Sequence, residues 1–283
     1  MPRASTVLAR TQLLVLLTIA ILTLAAWLVT IHQARTMNMP MGVVARGAAS
    51  DTMGMGRAGA MAASGMTEGG WSFDSFMTFV TAWTAMMVAM MLPAAAPMLL
   101  LVRRVYAQRR IAGRGLGPTW IFAAGYLLVW TAVGIVAYAL VQMGSDLAGD
   151  LDTWDRARWA PLALGTTLIV AGVYQATPLK RRCLRHCQSP LGFVMQHWRD
   201  GRLGALMMGG RHGAYCLGCC WALFAVVVAA GVMSLAWMLL LTLVVFAEKI
   251  LPIGERVGIA TGVVLAGLGV LIAMGATDMP WTT

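Results

Sequence analysis

Five cysteines and one histidine occur in two short clusters: Cys183, His186 and Cys187 in the first, and Cys216, Cys219 and Cys220 in the second. On a helix, residues three and four apart lie on one face, so each cluster would present its side chains together. Thiols and imidazoles suit soft or borderline ions such as Cu(I) and Zn(II). We predict a joint site formed by Cys183, Cys187, Cys216 and Cys219, with His186 and Cys220 as nearby alternatives. The other interpretation is that these cysteines are small apolar residues packed in helices.

Methionine supplies a second set of soft donors. Several of the 22 methionines lie in a segment rich in Gly, Ala and Ser: Met37, Met39, Met41, Met53, Met55, Met61 and Met66. Thioethers bind Cu(I) and cannot form disulfides, which suits an oxidising compartment. We expect this segment, residues 32–70, to be a Met-rich periplasmic loop that captures metal. Compositional drift in a low-complexity segment is the alternative.

Two further methionine pairs occur in the next apolar run: Met86 with Met90, and Met87 with Met91. Each pair has i, i+4 spacing, so the four sulfurs would form a stripe on one half of a helix. Pro93 and Pro97 follow and remove backbone hydrogen bonds, which predicts a kink just beyond the stripe. A purely packing role for these methionines is the alternative to a metal relay.

The clusters are embedded in long apolar runs. The 283 residues are 59% apolar and only 11% charged, which is typical of an integral membrane protein. We predict an all-α, polytopic transmembrane helix bundle with about seven spans: residues 11–31, 73–102, 118–142, 159–176, 213–233, 235–251 and 257–274. The predicted organisation is a signal-anchor helix over 1–31, the loop over 32–70 and a metal-binding bundle over 71–283.

The basic residues predict the orientation. With the N-terminus in the cytoplasm, 16 of the 21 Lys and Arg residues fall inside, which satisfies the positive-inside rule. The chain is therefore expected to be N-in and C-out in a bacterial plasma membrane. The net charge of +10 is explained by these inner segments, so it does not indicate a nucleic-acid partner.

Other polar residues have assigned places in this scheme. Glu248 and Lys249 end the sixth predicted span, where they are candidates for an ion pair or a proton relay. Lys180 and Arg211 are possible partners for Glu248. Thr177 and Pro178 predict the N-cap and first residue of a short helix that carries the first cysteine cluster.

Three blocks resemble the bacterial family of uncharacterised "predicted metal-binding integral membrane proteins". They are Trp83–Pro97 with the methionine pairs, Tyr174–Cys187, and Gly213–Trp221 together with Glu248 and Lys249. The resemblance covers roughly residues 71–275. It implies metal binding at the Met and Cys positions and a small soluble metal-binding protein as partner.

We therefore expect a bilayer-embedded protein that binds a soft metal for transport or delivery, with Cu(I) as the first candidate and Zn(II) as the other. The sequence contains no nucleotide motif and no Ser/His/Asp arrangement, so we lean away from an enzyme. Two alternatives stay open. One is a membrane thiol–disulfide or electron-transfer subunit that uses Cys216, Cys219 and Cys220, and the other is a membrane anchor for a soluble metal-binding partner.

Overall fold

The computed structural model describes residues 2–36, 72–111, 119–149, 153–230 and 235–275, and these ranges contain helices and no strand. The predicted all-α class is therefore confirmed. The helices are α1 (Pro2–Thr36), α2 (Phe73–Ala94), α3 (Ala96–Ile111), α4 (Thr119–Gly149), α5 (Thr153–Gln175), α6 (Pro178–Gln188), α7 (Pro190–His197), α8 (Gly201–Ala230), α9 (Leu235–Ile250) and α10 (Gly254–Ala273).

Five helices are long and apolar enough to cross a membrane: Gln12–Gln33, Phe73–Ala94, Thr119–Gly144, Gly201–Ala229 and Gly254–Ala273. A bent pair, Pro161–Gln175 with Pro178–Gln188, would make a sixth if it counts as one span. The outer faces carry exposed large apolar side chains such as Leu128, Val173 and Val263, which a lipid environment would cover. The chain thus has the features of a multi-pass membrane protein, while seven spans stay a prediction because α9 has only 16 residues.

The second predicted span is interrupted between its two prolines. Helix α2 ends at Ala94 and α3 begins at Ala96, so Ala95 marks the break between Pro93 and Pro97. The Ala95 N–H donates to the carbonyls of Met91 and Leu92, both at 3.1 Å, which keeps the chain tightly wound there. The break lies where proline nitrogens cannot donate to the preceding turn, as the sequence predicts.

The first cysteine cluster lies on the predicted short helix. Thr177 caps α6 by accepting a hydrogen bond from the Lys180 N–H at 3.4 Å, and Pro178 is the first helical residue. A bend of 63° separates α6 from Pro161–Gln175. This bend turns α6 away from the axis of α5, and α6 packs against α8, the helix of the second cluster.

Helix α8 is longer than predicted. It begins at Gly201 and not near Gly213, so Cys216 lies well inside the helix and not at its start. The basic residues Arg202 and Arg211 are therefore helical. At a rise of about 1.5 Å per residue, Cys216 is roughly 20 Å along the axis from Gly201, so the second cluster lies inside the candidate span.

Helices α5 and α10 pack together through reciprocal glycine contacts. A Cβ added to Gly269 would lie 2.6 Å from the Gly165 carbonyl oxygen, and a Cβ added to Gly165 would lie 2.7 Å from the Gly269 oxygen. Gly172 and Gly262 repeat the arrangement seven residues away on each helix. Small residues that allow close backbone approach are characteristic of helix pairs in membranes.

We expect Gly269→Ala to destabilise the bundle, because the added methyl group meets backbone atoms that cannot move without separating α5 from α10. Overpacking of this kind costs about 1–3 kcal/mol. Gly267→Ala on the same helix is the matched control, since a Cβ there meets nothing within 4 Å. Thermal unfolding in detergent should show a lower midpoint for Gly269→Ala alone, and equal midpoints would contradict the packing argument.

Candidate metal centre

The predicted methionine stripe and the second cysteine cluster share one buried core. Met86, Met87, Met90 and Met91 are at most 3% exposed, and Cys216, Cys219 and Cys220 are each 1% exposed. All seven belong to the same cluster of buried side chains, hereafter the sulfur core. Cys183 and Cys187 are half-buried and pack against it. The stripe therefore faces the interior of the bundle, which a relay requires.

Cys216 has the most polar surroundings in the sulfur core. Its Sγ atom lies 3.1 Å from the Tyr126 hydroxyl and accepts a hydrogen bond from Lys249 Nζ at 2.8 Å. Lys249 Nζ also lies 3.8 Å from the thioether sulfur of Met91. The Tyr126 hydroxyl in turn donates to the Met91 carbonyl at 3.4 Å. Cys216 and Met91, on α8 and α2, are thus joined by two side chains from α4 and α9.

The other thiols gather around Cys216. Those of Cys187, Cys219 and Cys220 lie close enough to interact with its sulfur, and that of Cys187 also interacts with Cys219. The Cys219 and Cys220 thiols donate their hydrogens to the Cys216 carbonyl, at 3.0 and 2.8 Å. Helix α6 therefore contributes its Cys187 sulfur to a group of thiols on α8.

Cys183 and His186 occupy more peripheral positions. The Cys183 sulfur lies against Gly218, where a Cβ would stand 2.7 Å from it. The His186 ring stacks on Tyr215 with centroids 4.2 Å apart and an interplanar angle of 4°. Its Nδ1 atom contacts the Arg182 carbonyl at 2.8 Å. Of the first cluster, Cys187 is thus the residue that interacts with the Cys216 sulfur.

The thiols around Cys216 lie close together but are not arranged as the ligands of a metal ion. Within the ranges that the structure describes, no three His, Cys, Asp or Glu side chains converge closely enough to hold a metal ion as they stand. Two thiols are turned back onto the Cys216 carbonyl, so binding would require them to rotate. The donors available are thiols and a thioether, which are the ligands that Cu(I) prefers.

Glu248 and Lys249 are adjacent in sequence, but their side chains contact different residues. Glu248 forms an ion pair with Lys180, with both carboxylate oxygens 2.8 Å from Nζ and both side chains at most 2% exposed. Lys180 also donates to Gln175 Oε1, and Gln188 Nε2 donates to the Glu248 carbonyl at 2.6 Å. The ion pair holds α9 against α6, beside the sulfur core.

Sequence reasoning missed Tyr126 and His212. Tyr126 is a tyrosine in an apolar run, and no local pattern predicts that it contacts Cys216, ninety positions away. His212 lies one turn before Cys216 on α8, packed against Phe122, Tyr126 and Phe193. The i, i+4 spacing from His212 to Cys216 was a usable signal for the latter.

The predicted outer capture residues lie outside the described ranges. These are Met37, Met39, Met41, Met53, Met55, Met61 and Met66. Their proposed role rests on composition.

The model of the PpoB2 family, described as a copper chaperone, matches residues 80–272 of the chain. The matched region contains the methionine stripe, all five cysteines and Lys249. No curated protein and no solved structure matches the chain. The match supports a metal-related family, as the sequence resemblance implied, but not the particular family named for that resemblance, and its description specifies copper. Because the match extends over more than half of its length, the chain belongs to the PpoB2 copper chaperone family.

Proposed function

We propose that this protein binds Cu(I) in the sulfur core and delivers it across the bacterial plasma membrane or to a partner. The observation that carries the proposal is the meeting of Cys216 and Met91, from different helices, around one ammonium group in a buried, sulfur-rich site. These donors are buried and soft and include no carboxylate, which favours a soft monovalent ion over Zn(II).

The ligands we assign are the thiols of Cys187, Cys216 and Cys219, with the Met91 thioether beside them. Cu(I) needs few ligands, and these donors are already in contact or near contact. Cys183 and Cys220 flank the set, while the stacking of His186 on Tyr215 makes it the least suited alternative. Zn(II), which prefers four tetrahedral ligands, would need a larger rearrangement.

The path we propose follows the ligand types. With N-in, C-out topology and seven spans, the Met-rich segment 32–70 would collect copper outside, where thiols would oxidise. The stripe on α2 would pass the ion to the thiols of α8 and α6. A small soluble metal-binding protein would then receive it.

A thiol–disulfide role is the second candidate, since all five cysteines are free and three thiols contact Cys216. Measuring the copper content of the protein distinguishes copper delivery from a thiol–disulfide role. Protein purified under reducing, anaerobic conditions and titrated with Cu(I) should bind the ion stoichiometrically and keep its thiols reduced. Weak copper binding, together with reversible formation of a disulfide at Cys216, would favour the redox role.

We expect Met90→Leu/Met91→Leu to slow delivery of Cu(I) to the thiols, because leucine preserves volume and apolarity but offers no sulfur lone pair. In proteoliposomes, the rate of copper arrival at a lumenal chelator should fall about tenfold or more, in line with losses on removing metal-site residues. The matched control is Met98→Leu/Met208→Leu, since both residues are buried but belong to a separate core cluster. If copper arrived at the same rate with both double variants, the methionine stripe would have only a packing role.

A further inference from the structure

Lys249 is a buried cation in an unusual setting. Its side chain enters the sulfur core from the end of α9, and the residue is 9% exposed. The atoms around its ammonium are the Cys216 sulfur at 2.8 Å and the Met91 sulfur at 3.8 Å. Taking an ammonium out of water is costly unless an opposite charge compensates for it.

Within the part of the chain that the structure describes, no carboxylate forms an ion pair with Lys249, and the hydrogen-bond partners of its ammonium are sulfur atoms. Its neighbour Glu248 is engaged by Lys180, and the other acidic side chain with ion pairs near α9, Glu255, pairs with Arg181 and Arg185. The Glu248 carboxylate thus has Lys180 as its ion-pair partner and attracts Lys249 only at longer range. The groups in direct contact with the Lys249 ammonium are the sulfur atoms.

A cuprous ion held by thiolates needs such a charge. Metal binding requires deprotonated thiols, and each thiolate beyond the first that binds one Cu(I) adds one net negative charge to the complex. In a water-poor interior that excess charge is expensive, and a fixed ammonium in hydrogen-bond contact with a ligand sulfur would neutralise it. A coordinated thiolate retains lone pairs that can still accept from Lys249.

Building on the proposed function, we propose that Lys249 is the fixed counter-charge for a buried complex of Cu(I) with thiolates that include Cys216. It is a positioning residue: it does not ligate copper, and it stabilises the bound complex through the Cys216 sulfur. This role also accounts for the contact with Met91, because the ammonium then lies beside both sulfurs that the ion would approach.

The test is Cu(I) affinity, measured anaerobically by competition with a colorimetric Cu(I) chelator on the full-length protein in detergent. Lys249→Leu removes the charge and keeps the side chain apolar without adding a sulfur that could bind copper, so affinity should fall about tenfold or more. Lys249→Arg retains the charge and should recover most of that loss. Lys249→Gln can still donate a hydrogen bond to Cys216 but is neutral, so it should behave like Lys249→Leu. It also serves as the neutral variant if Lys249→Leu does not fold.

The possible results of this experiment distinguish failure of the role proposed for Lys249 from failure of the proposed Cu(I)-binding function. If wild-type protein binds no Cu(I), the proposed function fails. If wild type binds Cu(I) and the two neutral variants bind it equally well or more tightly, Lys249 is not a counter-charge, and tighter binding would identify its ammonium as a competitor for the site. An affinity for Lys249→Arg as low as that for Lys249→Leu, with an unchanged melting temperature, would also overturn the proposal.

Discussion

Cys216→Ser should lose at least about 100-fold in Cu(I) affinity, the largest effect expected of any single cysteine, because a soft sulfur ligand is replaced by a hard oxygen. Cys216 is the thiol that the other three contact, and it alone also meets Tyr126 and Lys249. Serine is close in size and can accept the same hydrogen bond from Lys249. The loss should therefore appear in metal binding and not in folding.

Cys183→Ser is the matched control. Its sulfur lies against Gly218 at the margin of the sulfur core, and the structure gives it no hydrogen bond to Cys216. We expect it to keep Cu(I) affinity within about threefold, a difference well under the tenfold that 1.4 kcal/mol represents. Chelator competition on both variants, with melting temperatures in parallel, checks the pair. If both variants lost Cu(I) affinity equally, Cys183 would be a ligand, as the spacing alone predicted. If both kept their affinity, Cys216 would not be a ligand.

Much of the fold follows from local signals in the sequence. Long apolar runs predict the helices, Thr177 and Pro178 predict the start of α6, and the two prolines predict the break at Ala95. The start of α8 was missed because Gly201–Arg211 is basic and glycine-rich, which is typical of a loop. There, tertiary packing outweighs local propensity: Gly209 of that segment lies against the Phe122 backbone of α4, where no larger residue would fit.

The site was only partly predictable for a related reason. Spacing identifies which sulfurs share a helical face, so the clusters and the stripe could be named from sequence. Which cluster members meet across helices depends on crossing angles and on the 63° bend before α6, and these leave no local pattern. That is why Cys187 rather than Cys183 contacts Cys216, and why the roles of Tyr126 and Lys249 emerge only in three dimensions.

The buried ion pair of Lys180 and Glu248 should dominate local stability. Lys180→Met leaves the Glu248 carboxylate buried without its cation, and removing one partner of a buried pair typically costs about 3–5 kcal/mol. The double variant Lys180→Met/Glu248→Leu removes both charges and should recover most of this loss, because well-packed apolar side chains often replace such a pair without penalty. The free energy of unfolding in detergent, measured by denaturant titration, checks both expectations.

The solvent-accessible pair Arg181–Glu255 provides the matched comparison. Its atoms are 3.4 Å apart and its side chains are 43% and 42% exposed, so Arg181→Met should cost no more than about 1 kcal/mol. Lys180 and Arg181 are adjacent in sequence and lie on the same helix, so burial is the main difference between their two ion pairs. A large loss for Arg181→Met would contradict this assignment. A small loss for Lys180→Met would also contradict it, since the Glu248 carboxylate would then be stabilised by a group other than Lys180. Lys249 would be a candidate for that group, and the argument that the sulfur atoms are its direct partners would fail.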